Sequence, residues 1–237
     1  MLARVFVAIG GLVVLALLAA LIAPLFIDWT GYRAGFEREA SAILGRKVTV
    51  AGSAKARLLP FPSVTFSDVR VGESEDGPAM TAEAFSMDAE LAPFLSGRAV
   101  IFDMRLVKPR VTVAMDAAGA IDWRFGTAAG FDPARVSLER LSISDGEITL
   151  RHVPGERTVS IRGLEAVLSA RSLAGPWRAD GQARFERIEA GFTAASGKVG
   201  DDGRLGLHLT FAPRHLGFDL ESDGAVTLAD GAPVYAG

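Results

Sequence analysis

Beyond residue 63, apolar and polar side chains alternate with a period of two, and this feature limits the fold more than any other. Phe85, Met87, Ala89 and Leu91 alternate with Ser86, Asp88 and Glu90. Val100, Phe102, Met104 and Leu106 alternate around Asp103 and Arg105, and Val111, Val113 and Met115 around Arg110 and Thr112. The same beat returns at Val136, Leu138, Leu141, Ile143, Ile148 and Leu150, then from Phe185 to Leu228. Successive side chains of a strand point to opposite faces, so these runs predict strands with one apolar and one polar face. Val64 and Phe66 are out of phase with Val69 and Val71, which predicts a bulge near Ser67 and Asp68.

Short turn signals separate the runs: Pro60-Phe61-Pro62, 72–78, 93–97, Lys108-Pro109, 116–119, Asp201-Asp202-Gly203 and Ser222-Asp223-Gly224. Connections this short predict an antiparallel meander, because parallel neighbours need crossovers of about a dozen residues or more. Residues 85–97 echo 164–175, each an alternating run closed by a short turn and Gly.

The N-terminus breaks the pattern. Residues 5–27 carry no charged side chain and lie between Arg4 and Asp28. At about 1.5 Å per residue such a run crosses a hydrocarbon core of about 30 Å, so it predicts a transmembrane helix. A cleaved signal would have a shorter apolar region and an A-x-A-like site, and neither is present. Trp29 and Tyr32 follow where amphipathic rings favour the headgroup zone. From 28 to 45 the apolar residues Tyr32, Phe36, Ile43 and Leu44 recur at helical spacing between N-cap candidates Asp28 and Thr30 and the stop at Gly45. This predicts one juxtamembrane amphipathic helix. Arg4 on one side is outnumbered by Arg33, Arg38, Arg46 and Lys47 on the other, so basic residues do not set the orientation.

The chain has 25 basic and 28 acidic side chains, a net charge of −3, with the two signs interspersed. That gives no cationic field for a nucleic acid. With no Cys, thiolate zinc sites and thiol nucleophiles are excluded. His152, His208 and His215 lack metal-ligand spacing, and in a strand 208 and 215 face opposite sides. Residues 191–199 resemble a phosphate loop only superficially: the glycine spacing is too long, Val199 stands in place of the magnesium-binding hydroxyl, and the segment reads as a β-turn. The acid pairs Asp145/Glu147 and Asp201/Asp202 read as turn residues serving the backbone. The expectation is a non-enzymatic chain with no catalytic residues, metal or cofactor.

A sheet with one apolar face must cover it. The single helix over 28–44 is about 25 Å long, whereas about thirteen strands spaced about 4.8 Å apart make a sheet about 60 Å wide. The remaining face packs on a second sheet, closes into a barrel, or accepts an apolar ligand. A trough beside a bilayer has lipid as its nearest ligand. Its lining candidates are Phe66, Phe85, Met87, Leu91, Phe102, Met104, Leu106, Val111 and Val113, with Trp29 and Tyr32 at the membrane interface.

The order of these features resembles the N-terminal region of the AsmA family of Gram-negative envelope proteins, itself similar to bridge-like lipid-transfer proteins. The resemblance rests on the membrane helix, Asp28-Trp29, Gly45 to Gly52, Leu58-Leu59-Pro60-Phe61-Pro62, Val64 to Gly72, Leu91 to Gly97, Leu106 to Val113, and Asp116 to Gly119 leading to Asp122-Trp123. It covers residues 1–125; Asp122 stands where the family often has Asn. It implies a cytoplasmic N-terminus over 1–4, a single-pass inner-membrane anchor over 5–27, the short helix over 28–45 and an AsmA-like β-domain over 46–125 in the periplasm. A β-rich groove segment follows over 126–237, in what reads as the front part of a longer protein. Function is then expected to be phospholipid binding or transfer in outer-membrane lipid homeostasis and envelope assembly. The alternative is a structural assembly factor for outer-membrane proteins with an internally packed β-domain.

Overall fold

A computed structural model describes residues 33–57, 61–72, 78–94, 96–115, 132–152, 157–200, 203–229 and 232–236. Residues 5–27, Trp29 and Tyr32 lie outside this set, as do Asp28, Thr30, Asp201 and Asp202. Among the described residues no helix is long and apolar enough to cross a membrane.

Helix α1 (Arg33–Leu44) opens the described chain. It stops at Gly45, which adopts φ 68° and donates its N–H to the Ser41 carbonyl at 3.0 Å. A left-handed residue just after a helix is where glycine carries no Cβ penalty. Thirteen strands follow: β1 (Val48–Val50), β2 (Ala54–Arg57), β3 (Ser63–Val71), β4 (Met80–Ala89), β5 (Ala99–Val107), β6 (Arg110–Met115), β7 (Val136–His152), β8 (Arg157–Ala170), β9 (Trp177–Phe185), β10 (Ile188–Ser196), β11 (Arg204–Pro213), β12 (Leu220–Ala229) and β13 (Ala232–Ala236). All belong to one curved sheet in the order β1-β3-β4-β5-β7-β8-β9-β10-β11-β12-β13, with β2 beside β1 along β3, and β6 continuing β5 between β4 and β7.

The pure meander fails at one place. β5 and β6 pair with β7 in parallel, from Ala99↔Val136 to Met115↔His152, with the same offset throughout. β5 and β6 are one long strand interrupted at Lys108-Pro109. The connection from β6 to β7 spans 116–135, long enough for the crossover that a parallel pair demands.

Other expectations shift locally. The alternation at the end of β4 stops at Ala89, and Leu91 opens the one-turn helix α2 (Leu91–Phe94), 46% exposed. Pro93 cannot extend a strand ladder, and its carbonyl instead accepts from Ser96 and Arg98. Ser222-Asp223-Gly224 is not a turn but the middle of β12, paired with Leu207 to Leu209; the turn lies at 214–219. Residues 191–196 are strand β10 rather than a turn, and Asp145 and Glu147 lie inside β7. The two echoing segments both end at left-handed glycines, Gly97 and Gly175.

The bulge near Ser67 is present. Pairing passes from Val50↔Val69 to Ala54↔Phe66, so one extra residue of the edge strand is accommodated there, and Asp68 has φ 50°. Lys108, Asp145 and Gly163 also have positive φ, and they sit level with Asp68 across the sheet. At this crease each strand turns two consecutive residues outward, which restores the apolar phase on the inner face beyond it.

Candidate functional site

Register converts the alternation into rows running across the strands, because directly opposed residues share a face. Phe66, Phe85, Leu106, Ile143, Ala166, Gly181, Phe192, Phe211 and Leu220 are successive partners from β3 to β12. Beside them run Val64, Met87, Met104, Leu141, Leu168, Ala179, Ala194 and Leu209, ending at Ser222. Beyond the crease a third row joins Val71, Met80, Val111, Ile148, Ile161, Phe185 and Ile188. The first row covers eight strand spacings, about 38 Å.

Cover is uneven along these rows. At the β1 end, the Phe36 ring of α1 meets Phe66 edge-on at 5.2 Å, and Phe66 stacks on Phe85 at 6.1 Å. Ala40 and Leu44 pack against the cluster of Val48 and Val71, as do Val111 and Val113. Ile101, Leu138 and Ala170 form a third cluster with Met87, Met104, Leu141, Leu173 and Trp177. From β9 to β13 each strand pairs with its neighbours in the sheet. On that part of the face Leu220 stays 55% exposed, and Phe192 and Phe211 are half-buried.

Of the nine lining candidates, Phe66, Phe85 and Leu106 fall in the first row, Met87 and Met104 in the second and Val111 in the third. Val113 joins Val111 in packing against Val48 and Val71. Phe102 falls out of the rows: pairing shifts between Asp88↔Asp103 and Ala89↔Ile101, so Ile101 takes the buried position. The Phe102 ring instead meets Phe61 at 5.3 Å. Leu91 is off the sheet altogether. The row members of β7 to β12 were visible as alternation, but nothing in the sequence paired them across strands.

The opposite face is polar and laced with cross-strand ion pairs. Lys108 Nζ meets Glu83 at 2.8 Å, and Glu147 sits between Arg162 at 3.1 Å and Arg110 at 3.7 Å. The hydrogen bond and charge of Glu83 raise the Lys108 pKa. His208 Nδ1 lies 2.7 Å from Asp223 Oδ1 on the same face, and that carboxylate raises the imidazole pKa. A shallow hollow of about 490 Å3 on this side is lined by Ser142, Ser144, Glu165, Val167 and Asp180 among others. Among the described residues no three His, Asp or Glu side chains gather closely enough to hold a metal ion.

The chemistry of the inner face is therefore apolar contact along a continuous strip, in a single-layer sheet with a helix at one end. The profile of the AsmA family matches residues 1–156, and the chain belongs to that family. No curated protein matches it.

Proposed function

We propose that this chain binds phospholipid acyl chains along the open part of its apolar rows and contributes to lipid movement between envelope membranes. AsmA membership is consistent with envelope lipid transport or assembly. The observation that carries the lipid reading is the partly exposed end of the first row, from Gly181 through Phe192 and Phe211 to Leu220, which is 55% exposed. Each apolar Å2 taken from water stabilises by about 25 cal/mol, and an acyl chain lying across the strands takes that area without asking for a hydrogen bond. In this reading residues 5–27 anchor the chain in the inner membrane, the sheet stands in the periplasm, and no reaction is catalysed.

Photoreactive side chains at Phe192 and Phe211, in the full chain held in phospholipid nanodiscs, test the proposal. The expected result is covalent capture of phospholipid at both and none at His208 on the polar face. Capture of protein or of the chain itself, without lipid, would favour the assembly factor with an internally packed β-domain whose outer face recruits envelope proteins. A phosphatase fused at Gly237 is expected to be active in intact cells; an inactive fusion would overturn the periplasmic placement.

A further inference from the structure

Three side chains one helical turn apart on α1 meet the free edge of the sheet. The Arg33 guanidinium donates to the Gly52 carbonyl at 2.7 Å, Glu37 Oε1 accepts the Val50 N–H at 2.7 Å, and Ser41 Oγ accepts the Val48 N–H at 2.8 Å. The helix thus substitutes for a neighbouring strand. Its apolar residues Phe36, Ala40 and Leu44, also a turn apart, cover the β1 end of the first and third rows.

The two sides of this contact are unequal. No residue of α1 is fully buried, while Val48, Val50, Phe66 and Val71 beneath it are. The polar latches lie along a sheet edge, where water can replace them when the helix lifts. What opposes lifting is the exposure of Phe66, Val50 and Val71 to water. An acyl chain sliding along the first row from Phe85 removes that opposition, because it covers the same side chains. A ligand shifts a conformational equilibrium by its differential affinity for the two states, and here the open state alone offers the contact.

We infer that α1 is a gate over the first segment of the groove, latched by Arg33, Glu37 and Ser41 and displaced by an acyl chain of a phospholipid. The inference rests on the lipid-binding reading above. It extends that reading by giving the groove a closed end whose opening depends on lipid.

The chain has no native Cys, so an Ala40→Cys/Val48→Cys pair is unambiguous. In the full chain in nanodiscs of phosphatidylethanolamine and phosphatidylglycerol, a photoreactive group is placed at Phe66, or at Phe85 if the first position does not fold. Oxidising the pair is expected to lower lipid capture there at least fivefold, and reduction to restore it, with capture at Phe211 unchanged. Glu37→Ala/Ser41→Ala, without the cysteines, is expected to raise capture at Phe66 severalfold and decides the matter if the disulfide does not form. Equal capture at Phe66 in the oxidised and reduced forms, or in the loosened and native chains, overturns the gate. Loss of capture at Phe211 in every form overturns the lipid reading instead.

Discussion

The stretches 48–101 and 177–227 are written in the same two-residue alternation, yet they treat it differently. The first holds Val48, Val50, Ala54, Phe66, Val71, Ala82, Ala89 and Ile101 as fully buried apolar residues; among the described residues of the second, Ala190 and Pro213 are the buried ones. Both stretches form strands of the same sheet with continuous pairing. What differs is cover: α1 packs on Val48, Val50, Phe66 and Val71, and Leu173 and Trp177 pack in the cluster of Ile101, whereas Leu220 in the second stretch stays 55% exposed. Alternation therefore gives a sheet two faces, and only tertiary cover turns one of them into a core.

The sharpest way to break this contrast is to truncate equivalent members of one row. Phe66→Ala removes a ring that is 7% exposed and wedged between Phe36 and Phe85, and is expected to cost about 3–5 kcal/mol. Phe211→Ala, at a half-buried position facing Phe192 and Leu220, is expected to cost about 1 kcal/mol, because solvent or lipid fills the space. Chemical denaturation of the full chain in detergent reads both. Equal losses would mean that the distal face is a hidden core.

A smaller effect tests how the uncovered stretch holds its shape. A Cβ on Gly181 would lie 2.5 Å from the Glu165 carbonyl oxygen and 2.7 Å from the Phe192 ring. The carbonyl belongs to the β8 backbone and cannot swing aside as a flexible side-chain tip would. Gly181→Ala is thus expected to destabilise by about 1–3 kcal/mol and to push the Phe192 ring off the row, lowering lipid capture at position 192. An unchanged melting temperature with unchanged capture would show that the row tolerates displacement there.

Much of this was legible in the sequence, and the rest was hidden for identifiable reasons. The alternating runs gave the strands, and the phase break at Phe66 and Val69 located the bulge. Gly45 marked the helix stop. Leu91 misled because Pro93 ends the ladder two residues later, and Phe102 because a register shift in β5 transfers the inward position to Ile101. The parallel seat of β7 was hidden because both pairings satisfy the same alternation; only the long 116–135 connection distinguishes them. Among the α1 latches, Glu37 shows in the sequence only as a polar residue within the helical stretch. Its bond to the Val50 N–H joins positions thirteen residues apart, and helical spacing does not reveal such a bond.

The smallest effect concerns the polar face of the distal stretch, where the His208–Asp223 pair joins β11 to β12 across the ladder. The hydrogen bond that the imidazole donates to Asp223 and the charge of that carboxylate raise the His208 pKa above its ordinary 6.5; desolvation lowers it, and the charge of Glu221 adds a smaller raise. A raised folded-state pKa means that the folded chain holds its proton more tightly than the unfolded chain. The resulting stabilisation is fully present below pH 6.5 and is lost as pH rises through the folded-state value. Asp223→Asn removes the charge and is expected to return the imidazole to its ordinary range and flatten this part of the stability profile, as followed by NMR titration of the His208 ring. Because the pair is fully exposed, the change in stability is expected to be far below that of Phe66→Ala, leaving the difference between the two stretches with the apolar cover rather than the surface charges.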